Sequence, residues 1–76
     1  MIELNKRLQE ELKAIGMYQP VFAGDLLSKG DTQVLKRMGL VMSYEGDYVL
    51  TNFGKETFIE LFPDEVLGGK ISNSYK

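Results

Sequence analysis

Five polar side chains that can hydrogen-bond to nucleic acid occur within a short stretch of the chain: Lys29, Thr32, Gln33, Lys36 and Arg37. Gln can pair with adenine in the major groove, Lys and Arg with guanine or phosphate, and Thr with phosphate or the thymine methyl group. This composition suits a helix face that contacts DNA, with Lys29 reaching a phosphate from the preceding turn. It also suits an ordinary solvated helix face, and both interpretations stay open.

The sequence lacks several residue types that catalysis and metal binding use most often. The 76 residues include no cysteine and no histidine, so zinc ligands, thiol nucleophiles and imidazole acid–base groups are missing. The carboxylates occur in charge-rich segments or at a turn, where such groups are usually solvated. We therefore expect no enzyme activity, no cofactor and no metal ion.

Length and hydropathy favour a single small domain. A chain this short buries too little surface for a second core. Apolar runs such as Leu40–Met42 are far too short for a signal peptide or a membrane span. We expect a cytoplasmic protein with no membrane contact. The domain is predicted over residues 1–67, and the Gly-rich and polar residues 68–76 predict a flexible tail.

The N-terminal third of the chain predicts the helices and the short strand that support the polar cluster. Apolar residues at helical spacing (Leu4, Leu8, Leu12 and Ile15) predict an amphipathic helix over residues 2–15 that ends at Gly16, with the charged residues, Glu11 among them, on its other faces. Val21 can pair as a short strand. A short second helix is expected over residues 22–28, closed by the Lys29-Gly30 step.

The polar cluster itself is predicted to lie on a third helix that runs from an N-cap at Asp31 to Arg37 and ends at Gly39. Its inward side chains would be Val34, Leu35 and Met38. A hairpin with the three-residue loop Glu45-Gly46-Asp47 should follow, and it would place four side chains on one face: Met42, Tyr44, Tyr48 and Leu50.

A last helix, capped by Thr51 or Asn52 and stopped by Pro63, carries much of the aromatic content of the chain. Its large apolar residues are Phe53, Phe58, Leu61 and Phe62. We expect them to cover the core, since a small domain needs every large side chain it has. Any remainder that stays exposed would mark a dimer or partner interface.

The order helix, short helix, helix, hairpin, helix, together with two local passages, resembles the winged-helix variant of the helix-turn-helix fold. The passages are Val34-Leu35-Lys36-Arg37-Met38-Gly39-Leu40-Val41 and Tyr48-Val49-Leu50-Thr51-Asn52-Phe53-Gly54-Lys55, and they are similar to those of MarR-like and ArsR-like regulators. The resemblance implies a mainly α fold with a small β-hairpin (α+β): three helices, a two-stranded wing and a C-terminal helix. The third helix is shorter than the recognition helix usual in that family.

Two functions are compatible with this pattern. The first is a transcription-type regulator that binds duplex DNA as a dimer, with the third helix in the major groove. The second is a protein-interaction module that docks on a basic, nucleic-acid-processing partner through the last helix and an acidic wing tip formed by Glu45 and Asp47. The positive charge of the third helix favours the first, although the acidic wing makes a wing contact with phosphate unfavourable.

Overall fold

The computed structural model describes residues 3–68. Within this range the chain forms three α-helices, a 3₁₀ helix and a three-stranded antiparallel sheet. In chain order these are α1 (Lys6–Tyr18), β1 (Val21–Phe22), the 3₁₀ helix (Ala23–Asp25), α2 (Lys29–Arg37), β2 (Val41–Tyr44), β3 (Asp47–Leu50) and α3 (Asn52–Leu61). The predicted α+β class is confirmed.

The sheet differs from the predicted two-stranded wing because it has a third strand. Its order is β1-β3-β2, and β1 pairs with β3 through Val21↔Tyr48 and Phe22↔Asp47. The short strand proposed at Val21 therefore exists. It ties the segment after α1 to the hairpin, so the sheet links the first third of the chain to the last.

The hydrophobic core lies where the three helices meet the sheet. Its most deeply buried side chains are Leu12, Ile15, Leu35, Leu40, Val41 and Phe58. Burial of each large apolar side chain stabilises the fold by roughly 1.5–3 kcal/mol. Because α1, α2 and α3 each contribute to this cluster, the core fixes the orientation of all three helices.

The first helix starts and ends later than predicted. Asn5 is its N-cap, and the Asn5 side chain accepts a hydrogen bond from the Leu8 amide at 2.8 Å. Gly16 does not end the helix but lies within it, and its missing side chain leaves the space that the Phe58 ring fills. The helix stops at Tyr18, just before Gln19-Pro20, where proline cannot continue it.

The second predicted helix, over residues 22–28, is wrong: this segment holds the end of β1 and the 3₁₀ helix. The third predicted helix exists but begins three residues earlier. Its N-cap is Ser28, whose hydroxyl accepts from the Asp31 amide at 3.3 Å, so Asp31 lies in the first turn instead of capping it. The predicted stop is confirmed, since Gly39 follows the helix with φ +81°.

The hairpin is one residue tighter than predicted. Tyr44 pairs with Asp47, so the loop is Glu45-Gly46, and both residues have positive φ (51° and 88°), as a type I′ turn requires. A shift of one residue exchanges the two faces of a strand. The predicted common face is therefore wrong: Leu50 and Tyr48 point to the core side, and Met42 and Tyr44 to the other.

The last helix is capped as predicted. The Thr51 hydroxyl accepts from the Gly54 amide at 2.9 Å, and the helix ends at Leu61, shortly before Pro63. Gly68, assigned to the tail, is bound to α1: its amide donates to the Gly16 carbonyl at 2.8 Å, and its carbonyl accepts from the Gln19 side chain at 3.0 Å. The rest of the predicted tail, residues 69–76, lies outside the described residues.

We predict that Gly54→Ala lowers the free energy of unfolding by about 1–3 kcal/mol, because the added Cβ would overlap the Leu40 carbonyl oxygen. The matched control is Gly30→Ala in α2, where the nearest atom to the new Cβ is the Ser28 hydroxyl at 4.0 Å. There the gain in helix propensity should stabilise the fold by about 0.5–1 kcal/mol. Urea unfolding followed by circular dichroism measures both, and equal midpoints would contradict the close approach of α3 to Leu40.

Candidate nucleic-acid interface

Four of the five predicted contact residues lie together on the outer face of α2. Lys29, Gln33, Lys36 and Arg37 are all exposed, and their spacing of four, seven and eight residues places them on one side of a helix. The structure therefore brings the predicted cations and the amide into one row.

Thr32 is the exception, and its prediction as an exposed contact residue is wrong. The side chain is 0% exposed, and its hydroxyl donates to the Glu11 carboxylate at 2.5 Å. The reason is the rotational phase of α2: one turn beyond the Ser28 cap, Thr32 faces α1 and not solvent. It helps to hold the helix and cannot reach a ligand outside the domain.

The outer face of α2 carries uncompensated positive charge. Over residues 3–68 the ion pairs are Arg7–Asp31 at 3.2 Å and Lys13–Glu65 at 3.3 Å, so Lys29, Lys36 and Arg37 have no carboxylate partner within that range. Lys36 and Arg37 also occupy the last turn of the helix, where positive charge interacts favourably with the helix dipole. These three cations are available to an anionic ligand.

Tyr48 is a neighbour of this face that the sequence did not reveal. Its hydroxyl accepts a hydrogen bond from the Gln33 side-chain nitrogen at 3.4 Å, a long bond that connects α2 to β3. The ring packs against the core, which anchors the hydroxyl. Gln33 keeps its carbonyl oxygen and its second N–H for another partner, which are the two groups that Gln uses to pair with adenine.

A buried carboxylate positions α2 from the opposite side. Glu11 is 1% exposed, although it was predicted to be solvated, and it accepts two hydrogen bonds: from the Ser28 amide at 3.1 Å and from the Thr32 hydroxyl. Glu11 thus accepts hydrogen bonds from donors at the start of α2. In a capping box the same role belongs to a residue of the capped helix itself, whereas Glu11 belongs to α1. The signal was present, because Glu11 falls on the helical stripe of Leu4, Leu8 and Ile15.

The four residues predicted as an interface on the last helix do not share one exposed surface. Phe58 is at the centre of the core, and Leu61 and Phe62 are partly buried against it; the Phe58 and Phe62 rings meet edge to face with centroids 5.4 Å apart. The expectation that these aromatics cover the core is thus confirmed for Phe58. Phe53 alone of the four is exposed, and Ile59 is the other large apolar residue on the outer face of α3.

Two features are absent from residues 3–68. No group of three or more acidic side chains is placed to hold a metal ion, and no helix has the length and apolar character needed to cross a bilayer. Comparison of the chain with protein-family models, curated proteins and solved structures finds no match. Function is therefore inferred from the geometry of the chain itself.

We predict that Glu11→Ala lowers the free energy of unfolding by about 2–3 kcal/mol, because the Ser28 amide and the Thr32 hydroxyl lose a charged acceptor. The exposed neighbour offers a matched control: Glu10→Ala should change stability by no more than about 0.5 kcal/mol. Urea unfolding gives the two values. Hydrogen exchange should also accelerate at the start of α2 in Glu11→Ala, and an exchange pattern like that of Glu10→Ala would exclude the proposed cap.

Proposed function

We propose that the chain is a winged-helix DNA-binding protein, a transcription-type regulator that binds duplex DNA as a dimer through the outer face of α2. The observation that carries the proposal is the row of Lys29, Gln33, Lys36 and Arg37 on one exposed helix face, with no ion pair from residues 3–68 to any of its cations. The order of elements, a helix, a short strand with a 3₁₀ helix, a helix, a hairpin and a helix, supports the winged-helix assignment, with the 3₁₀ helix in place of the predicted second helix.

The size of α2 suits a groove contact. Nine residues at 1.5 Å each give a helix about 14 Å long, and the major groove is about 12 Å wide. Lys29 at the start and Arg37 at the end of the helix can meet phosphates on either side of the groove. Gln33, midway between them, is the side chain best placed to contact a base edge.

The hairpin tip is acidic, whereas a wing that contacts DNA is basic. Its turn contains Glu45 and is followed by Asp47, and both carboxylates would be repelled by phosphate. The complex we propose therefore keeps the hairpin tip away from the backbone. Three cations per copy give modest affinity, so two copies reading half-sites about 34 Å apart are needed for useful binding.

A second candidate is favoured by the outer face of α3. There the exposed apolar residues Phe53 and Ile59 alternate with the exposed carboxylates Glu56 and Glu60, a surface suited to a partner that presents apolar and basic side chains. In this alternative the chain is a protein-interaction module that binds or inhibits a nucleic-acid-processing partner. The DNA proposal is preferred because the protein-interaction alternative gives the cations of α2 no role.

We predict that Lys36→Ala and Arg37→Ala each weaken binding to a mixed-sequence duplex at low salt. Each lost phosphate contact should also reduce the slope of log affinity against log salt by about 1. The control is Lys55→Ala, which removes the same charge from α3 and should leave the slope unchanged. Fluorescence anisotropy across a salt series measures all four proteins. If the wild-type chain has no affinity for duplex DNA at low salt, the protein-interaction alternative replaces the proposal.

A separate prediction concerns sequence preference. Gln33→Ala should relax selection at one base position by about 1–3 kcal/mol, since a bidentate contact with adenine is lost, while the salt slope stays that of the wild type. Selection from a randomised duplex library, followed by competition between the best site and its single-base variants, tests this. An unchanged preference in Gln33→Ala would remove Gln33 from the reading face.

A further inference from the structure

The exposed row of α2 contains one side chain that a second element restrains. Gln33 lies midway along the row, and its Nε2 donates to the Tyr48 hydroxyl of β3 at 3.4 Å. The three cations of the row have no ion pair within residues 3–68. A mobile cation can still contact phosphate, whereas reading a base edge requires a side chain in a defined orientation. The restraint therefore falls on the residue that would read sequence.

We propose that Tyr48 is a positioning residue for base recognition, and that its hydroxyl holds the Gln33 amide in the orientation that pairs with adenine. The inference rests on the proposed function, because it assigns a role within the same DNA-binding face. It adds a residue of the sheet to a surface that is otherwise built from α2 alone.

Tyr48 is well suited to hold another side chain because it is itself fixed by the sheet and the core. It lies on β3, the central strand, and pairs with Val21 of β1 on one side and with Ser43 of β2 on the other. Its half-buried ring packs against the hydrophobic core. The third strand, which a two-stranded wing would lack, thus braces the residue that contacts Gln33.

The hydrogen bond to Tyr48 leaves the Gln33 amide with the groups that adenine needs. A primary amide has one carbonyl oxygen and two N–H donors, and Tyr48 engages one of these donors. The oxygen and the second N–H can then pair with N6 and N7 of adenine. Guanine presents two acceptors on the same edge, so the Gln33 oxygen would face O6 with no proton between them.

Holding Gln33 in place before DNA binds should strengthen the specific contact. A free Gln side chain loses rotamer freedom when it binds, and a side chain that is already ordered loses less. One neutral hydrogen bond typically changes an equilibrium about two- to tenfold. The contribution of Tyr48 to the affinity for the preferred site is expected in this range.

The test is Tyr48→Phe, which removes the hydroxyl and keeps the ring. Fluorescence anisotropy compares the best duplex that the wild-type chain selects from a randomised library with its single-base variants. Affinity for the best duplex should fall about two- to tenfold. Affinity for variants at the Gln33-dependent base, the salt slope and the thermal unfolding midpoint should stay those of the wild type.

Tyr18→Phe is the matched control, because it removes the same hydroxyl from an exposed tyrosine on α1 and should change neither affinity nor selection. A double variant tests the coupling: once Gln33 is alanine, Tyr48→Phe should have no further effect on base selection. In the DNA-free protein, NMR relaxation of the Gln33 side-chain amide should show greater mobility in Tyr48→Phe than in the wild type.

The outcomes separate this inference from the proposed function. A wild-type chain without affinity for duplex DNA at low salt overturns both. A wild-type chain that selects adenine through Gln33, while Tyr48→Phe behaves like Tyr18→Phe, overturns the positioning role alone. So does an equal loss of affinity for every duplex in Tyr48→Phe, which would mean that the hydroxyl contacts the DNA backbone or serves only the fold.

Discussion

The arrangement of the domain depends on one buried carboxylate. Glu11, on the inner face of α1, accepts hydrogen bonds from the Ser28 amide and the Thr32 hydroxyl. Burying a carboxylate without such donors is costly, so α1 and the start of α2 must lie together in this geometry. The contact sets the rotational phase of α2. Because Thr32 is turned inward, the side of α2 that lies about a quarter of a turn round the helix from it forms the exposed row of Lys29, Gln33, Lys36 and Arg37.

Features governed by local chemistry were predictable from the sequence. The Thr51 cap, the stop at Gly39 and the helix end before Pro63 each depend on one residue and its neighbours. Choices between equivalent local signals were not predictable. Ser28 and Asp31 are both good N-caps, and the contact with Glu11 selects Ser28. Gly16 is a plausible helix stop, and the packing reason for a glycine there, the Phe58 ring against it, is visible only in the structure.

The members of the candidate site also divide into those that the sequence predicted and those that only the structure shows. Residue type and helical spacing identified four of its members, but the position of Thr32 required the true start of α2. The Tyr48 contact with Gln33 depends on the hairpin register. The loop is one residue shorter than predicted, so the pairing of the two strands differs from the prediction. The segment between α1 and α2 was misassigned for a related reason. Phe22 and Leu27 fall in the range predicted as a short helix, whereas the strand and 3₁₀ helix found there leave both side chains exposed.

One corner of the fold joins three elements through a single residue. The Thr51 hydroxyl donates to the Gly39 carbonyl, its amide donates to the Leu40 carbonyl, and its side chain caps α3. The end of α2, the base of the hairpin and the start of α3 therefore have little freedom to pivot separately. A displacement of α3 would therefore also displace the end of α2, because the contacts of Thr51 join the two helices.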